Sequence, residues 1–174
     1  MSTALVLGVG NTLLRDDGAG VHVAMQLKAT GVESEAVRVL DAGTLGFALL
    51  PAVQTCAALI VVDAAREGLP AGSVTVREGP AMDAFVCRRG RTVHDVGVAD
   101  LLAMARLSGC LPARRALVGI EPAAVEWGVE CTPAVASAVP LAATRVRELL
   151  AQWQAACSAE EQAGCSAAEV AHAG

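Results

Sequence analysis

Three side chains far apart in the sequence could carry out metal-assisted chemistry together: Asp17, Asp63 and His94. Two carboxylates and one imidazole offer the oxygen and nitrogen donors that suit a divalent transition ion such as Ni²⁺, Zn²⁺, Fe²⁺ or Cd²⁺. Three protein ligands leave coordination positions open, as a reacting or inspecting centre needs and a closed structural site lacks. A plainer reading stands beside this one. Carboxylates are common at strand ends in α/β folds, and a lone histidine in the first turn of a helix often caps it or lies on the surface. Residue types alone leave both readings open. Other chemistries are excluded. The stretch Gly8-Val9-Gly10-Asn11-Thr12-Leu13 has leucine where a dinucleotide-binding G-x-G-x-x-G needs its third glycine. Lys28 is the only lysine and has no phosphate-cradling glycine frame, and neither H-E-x-x-H nor G-x-S-x-G occurs. The six cysteines form no C-x-x-C pair and read as small hydrophobes.

An alternation of apolar runs and helical periods must position these groups. Thr3–Val9 and Ala57–Val62 are continuous apolar runs, as expected of strands buried on both faces, and Val37–Leu40 and Ala116–Ile120 add two more. Gly72–Arg77 alternates apolar and polar residues and predicts an edge strand with one wet face. Between the strands, helical spacing is visible over residues 18–30 and 45–53, over a segment capped by Thr92 that places His94 in its first turn, and from Thr132-Pro133 to about Trp153. Residues 79–92, with Gly79-Pro80 and the Arg88-Arg89-Gly90-Arg91 cluster, read as a long irregular connection. The pattern predicts a three-layer α/β/α fold: a five-stranded, mostly parallel twisted sheet with one antiparallel edge strand and helices on both faces. Residues 1–154 read as a single domain and 155–174 as a poorly structured tail. Ligand sites of such folds lie beyond the carboxyl ends of the strands, where Asp17, Asp41 and Asp63 fall.

Composition narrows the partners. The 174 residues are 54% hydrophobic, 18% charged and 2% aromatic, with a net charge of −5. An acidic chain poor in stacking rings does not suit nucleic acid or anionic membrane. No apolar run approaches the ~20 residues a spanning helix requires, and the start Met-Ser-Thr-Ala-Leu-Val-Leu lacks the basic region of a signal peptide. The expectation is a cytoplasmic protein.

Taken together, the motifs are more specific than any one of them. Gly8-x-Gly10-Asn11-x-Leu13-x-x-Asp16-Asp17-Gly18-x-Gly20 is followed by Asp41-x-Gly43-Thr44-x-Gly46, Val61-Val62-Asp63-Ala64 and His94-x-x-Gly97. Gly119-Ile120-x-Pro122, Glu126-x-Gly128 and Thr132-Pro133-x-Val135 then complete the series. Over roughly residues 4–150 the chain resembles the [NiFe]-hydrogenase maturation endopeptidases. That resemblance implies an enzyme that removes a C-terminal extension from a hydrogenase large-subunit precursor after nickel insertion. It also implies that Asp17, Asp63 and His94 are the metal-binding and catalytic residues. The nickel would arrive with the substrate, while Zn²⁺ or Cd²⁺ could occupy the site in isolation. Departures from the family pattern are Asp17 where glutamate is frequent, Ala42 where a second glycine is common, and Asp95 where glutamine commonly follows the histidine.

Gly43, Thr44 and Gly46 would form the rim that accepts the extended peptide. Asp16 and Asp41 are possible bases with plainer alternatives, Asp16 at the N-terminus of the first helix and Asp41 as a cap for the segment at Leu45. Trp127 reads as packing beside the Thr132-Pro133 helix start. The alternative functions are a nickel-sensing escort of the large subunit that does not cut it and, more distantly, a nucleotide-binding oxidoreductase.

Overall fold

The computed structural model describes residues 3–44, 46–88 and 97–172. Five strands form one sheet: β1 (Ala4–Val9), β2 (Val37–Gly43), β3 (Ala58–Ala64), β4 (Val74–Glu78) and β5 (Arg114–Ile120). Their spatial order is β2-β1-β3-β5-β4. β1 pairs in parallel with β2 and β3, β3 pairs in parallel with β5, and β4 runs antiparallel at the edge. The expected α/β/α sandwich is therefore present. The central strand β3 is the most apolar, and every residue in it is buried except Asp63, which is half-buried.

Alternation along the strands sends residues to two cores. Val6, Ile60, Val62 and Val118 face α1 (Ala19–Ala29) and α5 (Pro133–His172), which contribute Val23, Leu27, Val135, Val146 and Trp153. Leu5, Leu7, Leu59, Val61 and Leu117 face the other layer. That layer is made of α2 (Leu50–Thr55), α3 (Gly79–Arg88) and α4 (Val98–Leu107). Asp63 has the parity of Leu59 and Val61, so the pleat carries it toward the α2–α4 side. On the opposite side, α1 begins hard against the sheet. A Cβ on Gly20 would lie 2.2 Å from the Val62 carbonyl oxygen and 2.4 Å from that of Val9, so only glycine allows this approach.

Three sequence expectations are corrected. Residues 79–88 form α3 rather than an irregular connection. Pro80 sits in its first turn, where the missing N–H costs nothing, and Met82, Phe85 and Val86 give it a buried stripe. The helix expected from Thr92 begins instead at Val98, with Gly97 as its N-cap. Its first turn therefore does not contain His94, which lies with Thr92, Asp95 and most of the arginine cluster outside the described residues. Finally, α5 does not fade after Trp153 but continues to His172. The Ala, Gln and Glu residues of that stretch have high helix propensity, which needs no apolar periodicity to express itself.

Among the described residues no helix is long and apolar enough to cross a membrane. Cys56, Cys87, Cys110, Cys131 and Cys157 are free. Burial pushes the Cys56 thiol up to about 11, which suits an inert packing residue.

Candidate active site

Beyond the carboxyl ends of β1, β2 and β3 lies a cleft of about 700 Å³. Asp17 and Asp63 line it, as do Gly43, Thr44 and Gly46. The wall is completed by backbone and amide from Gly10 and Asn11 and by apolar side chains, among them Leu14, Phe47, Val98 and Leu101. Five of the six residues singled out from the sequence thus share one cavity. The sixth, His94, is outside the described residues. Gly97, three residues after it, lines the cleft. Among the described residues no group of three His, Cys, Asp or Glu side chains gathers as a metal site. The two carboxylates that line the cleft are oxygen donors of the kind a divalent transition ion accepts.

Each carboxylate has an identifiable support. Asp63 is placed by the sheet, since β3 holds it between Val62, paired with Gly8, and Ala64, paired with Ile120. Asp17 stands in a 3₁₀ turn, Arg15–Gly18, and its Oδ2 accepts the Asn11 amide N–H at 2.9 Å. Gly10 makes that turn possible. It has φ +133°, and a Cβ there would fall 1.8 Å from the Asp17 carbonyl oxygen. Gly10 therefore serves Asp17 by its lack of a side chain as well as lining the cleft.

Asp16 behaves differently from its neighbour. It is fully buried, and its carboxylate accepts four hydrogen bonds from chain more than a hundred residues away. Oδ2 accepts the N–H groups of Ala123 and Ala124 and the Thr132 hydroxyl, each at 2.9 Å, and Oδ1 accepts the Thr132 N–H at 2.6 Å. Burial alone would push this carboxyl up. The combined bonds from Ala124, Thr132 and Ala123 outweigh burial and hold its pKa below the ordinary value. An ionised carboxylate engaged in this way is not placed to take a proton from substrate. Thr132 does start α5, its carbonyl accepting the Ala136 N–H, but its hydroxyl is turned to Asp16.

Arg15 fastens the same two loops. Its N–H donates to the Gly128 carbonyl at 2.8 Å, Gly128 N–H donates to the Leu13 carbonyl at 3.0 Å, and its guanidinium pairs with Glu126 at 2.7 Å. Arg15 has φ +52° and is the one non-glycine with positive φ among the described residues. The sequence motifs Glu126-x-Gly128 and Thr132-Pro133 are thus partners of Arg15 and Asp16 rather than cleft residues.

Asp41 is exposed, is not a lining residue, and accepts the Gly43 N–H at 3.0 Å, so it shapes the rim rather than capping a helix. Trp127 is 82% exposed and does not pack as expected. Sequence reasoning missed the amide support of Asp17 and the apolar wall of Phe47, Val98 and Leu101. The helical spacing of Val98 and Leu101 was visible, but not that its start faces the cleft.

A family model described as hydrogenase maturation protease (HycI) matches residues 21–149. The hydrogenase expression/formation protein HupD of Rhodobacter capsulatus is 38% identical over 149 residues, covering 84% of this chain and 71% of its own. Among solved structures, the Escherichia coli hydrogenase maturating endopeptidase HybD superposes with a TM-score of 0.80 at 30% identity, covering 86% of this chain and 93% of that one. The [NiFe] hydrogenase maturation protease HybD from Thermococcus kodakarensis gives 0.71 at 27% identity, covering 84% and 98%.

Proposed function

The chain belongs to the [NiFe]-hydrogenase maturation endopeptidases, peptide-bond hydrolases that act in hydrogenase maturation, and from that premise we propose how its cleft works. The substrate is the precursor of a [NiFe]-hydrogenase large subunit, and the bond cut releases its C-terminal extension after nickel has been inserted. The observation that carries this reading is the convergence of Asp17 and Asp63 in one cleft with the Gly43–Gly46 rim.

Nickel enters as part of the substrate. Asp17 and Asp63 offer carboxylate oxygens to its open positions, with His94 as the expected third donor, so a precursor without nickel gives these residues nothing to hold. The bound ion supplies Lewis acidity toward the scissile carbonyl and a site for water, an effect of several kcal/mol on the barrier. The chain's own residues orient. Gly43, Thr44 and Gly46 let an extended peptide approach the backbone closely, and Phe47, 48% exposed, gives that peptide an apolar contact. Asp16 takes no proton, for the reasons given above.

The test is processing of nickel-loaded precursor by purified protein, read by mass spectrometry. Loss of a C-terminal peptide is expected with the native chain and not with Asp17→Asn or Asp63→Asn. A stable complex with intact precursor would instead identify a non-cutting escort, a reading that no feature of the cleft favours over hydrolysis.

A further inference from the structure

Asp16 is a buried ionised group that the reaction does not use, and its four partners all lie in the loop between β5 and α5. We infer that Asp16 is a positioning residue: by anchoring residues 11–18 to residues 123–132 it fixes the direction of the adjacent Asp17 carboxylate into the cleft. The inference rests on the reading that Asp17 acts in the site.

The backbone around Asp17 is held by local turn bonds, Leu14 N–H to the Asn11 carbonyl and Asp17 N–H to the Leu14 carbonyl, and by its ties to residues 123–132. The Arg15–Gly18 turn has no side-chain cap at its start, and Arg15 is held at φ +52°, a conformation that a residue with a Cβ adopts only when its surroundings impose it. Those surroundings include the Asp16 carboxylate bonds, the Asp16 N–H to the Ala124 carbonyl, the Arg15–Gly128 and Gly128–Leu13 backbone bonds, and the Arg15 guanidinium on Glu126 and the Glu130 carbonyl. With both in place Asp17 Oδ2 meets the Asn11 N–H at 2.9 Å. Without the Asp16 carboxylate, three N–H groups and one hydroxyl lose their acceptor, and the turn that carries Asp17 loses that charge-assisted anchor while the backbone bonds through Gly128 and Ala124 remain.

Asp16→Asn presents an amide NH₂ to at least one of the four donors and cannot satisfy them all. Measured well below its melting temperature, this variant is expected to lose the low-field position of the Asn11 amide proton. Processing of nickel-loaded precursor is expected to slow ~10- to 100-fold, the cost of sub-ångström to ångström misplacement. Thr132→Ser, which keeps both donors, should behave as the native chain. Thr132→Val, which removes only the hydroxyl, gives a smaller shift of the same amide and serves if Asp16→Asn does not fold.

Asp83→Asn is the control for general destabilisation, since Asp83 pairs with Arg115 and Arg106 away from the cleft. It should lower the melting temperature with the Asn11 amide unmoved. The inference is overturned if Asp16→Asn, or Thr132→Val in its place, lowers stability as Asp83→Asn does and leaves the Asn11 amide where it was. If the amide moves while processing by both Asp16→Asn and Asp17→Asn stays native, the positioning role stands and the role of Asp17 in the reaction is what fails.

Discussion

The two sides of the cleft are built on opposite principles. On the Asp17 side, two loops separated by more than a hundred residues are joined by charge-assisted hydrogen bonds that the Asp16 carboxylate accepts, an ion pair from Arg15 and backbone bonds through Gly128. On the rim side, residues 43–49 carry two glycines with positive φ, Gly43 at +47° and Gly46 at +35°. Among the described residues, that rim is tied down by the Gly10 N–H to the Gly43 carbonyl and by the Gly43 N–H to Asp41. If Asp17 meets an ion and the rim meets a peptide, as proposed above, the more densely hydrogen-bonded side is the one whose geometry would set the rate.

Breaking the chemistry outright should give the largest effect. Asp63→Asn keeps the β3 pairing and the shape of the side chain, so circular dichroism and melting should be near native while processing falls at least ~100-fold. Normal cleavage by this variant would remove Asp63 from the mechanism. Next comes the platform under both carboxylates. Gly20→Ala drives a methyl into the Val62 and Val9 carbonyls and should cost about 3 kcal/mol, read as a lower denaturation midpoint.

Acid probes two carboxylates, buried Asp16 on the Asp17 side of the cleft and partly buried Asp83 away from it. Asp83 is held down first by its hydrogen bond from Arg115, against burial and with help from the Arg115 and Arg106 charges, and Asp16 is held down by its N–H and hydroxyl donors. A carboxyl with a depressed folded pKa contributes stability above its unfolded value of about 4, and that contribution is lost as pH falls through the folded value. Melting temperature should therefore drop steeply below about pH 4, and Asp16→Asn and Asp83→Asn should each flatten that acid limb from a lower starting point. The smallest effects belong to the rim. Gly43→Ala meets nothing in the chain nearer than Asp41 Oδ1 at 3.9 Å, so its cost to stability is the left-handed backbone strain of about 1 kcal/mol, and its effect on processing should appear in KM. Phe47→Ala removes a half-exposed contact, worth a few-fold in KM and little in kcal terms, about 1 kcal/mol. If rim variants changed kcat as much as Asp16→Asn does, the division between the two sides would not hold.

Much of this arrangement was legible beforehand, for a physical reason. Parallel strands buried on both faces read as unbroken apolar runs, so β1 and β3 announced themselves, and Asp63 near the end of β3 and Asp17 in the turn that follows β1 fell at the same edge. The helices gave a weaker signal. Gly79-Pro80 reads as a break, yet the stripe Met82, Phe85, Val86 was enough for a helix, because proline opens one as readily as it interrupts one. The start of α4 was misplaced because Thr92 and Asp95 make a plausible cap in sequence, whereas the chain enters the helix through an extended Gly97.

Asp16 was beyond reach altogether. Adjacent acidic residues before a helix suggest the helix dipole, and nothing local distinguishes a carboxylate facing water from one that collects four donors from residues 123–132. Trp127 misled in the opposite sense, since a large ring beside a helix start suggests burial and this one stands in solvent.

The join between residues 11–18 and 123–132 also orders events in time. Contacts that close a stretch of more than a hundred residues are entropically slow and form only after the intervening sheet exists. During synthesis the first aspartate pair emerges long before Thr132, and until that residue leaves the ribosome the Asp16 anchor has nothing to grip. A chain that ends before Thr132 therefore lacks all the donors that the Asp16 carboxylate accepts from that residue.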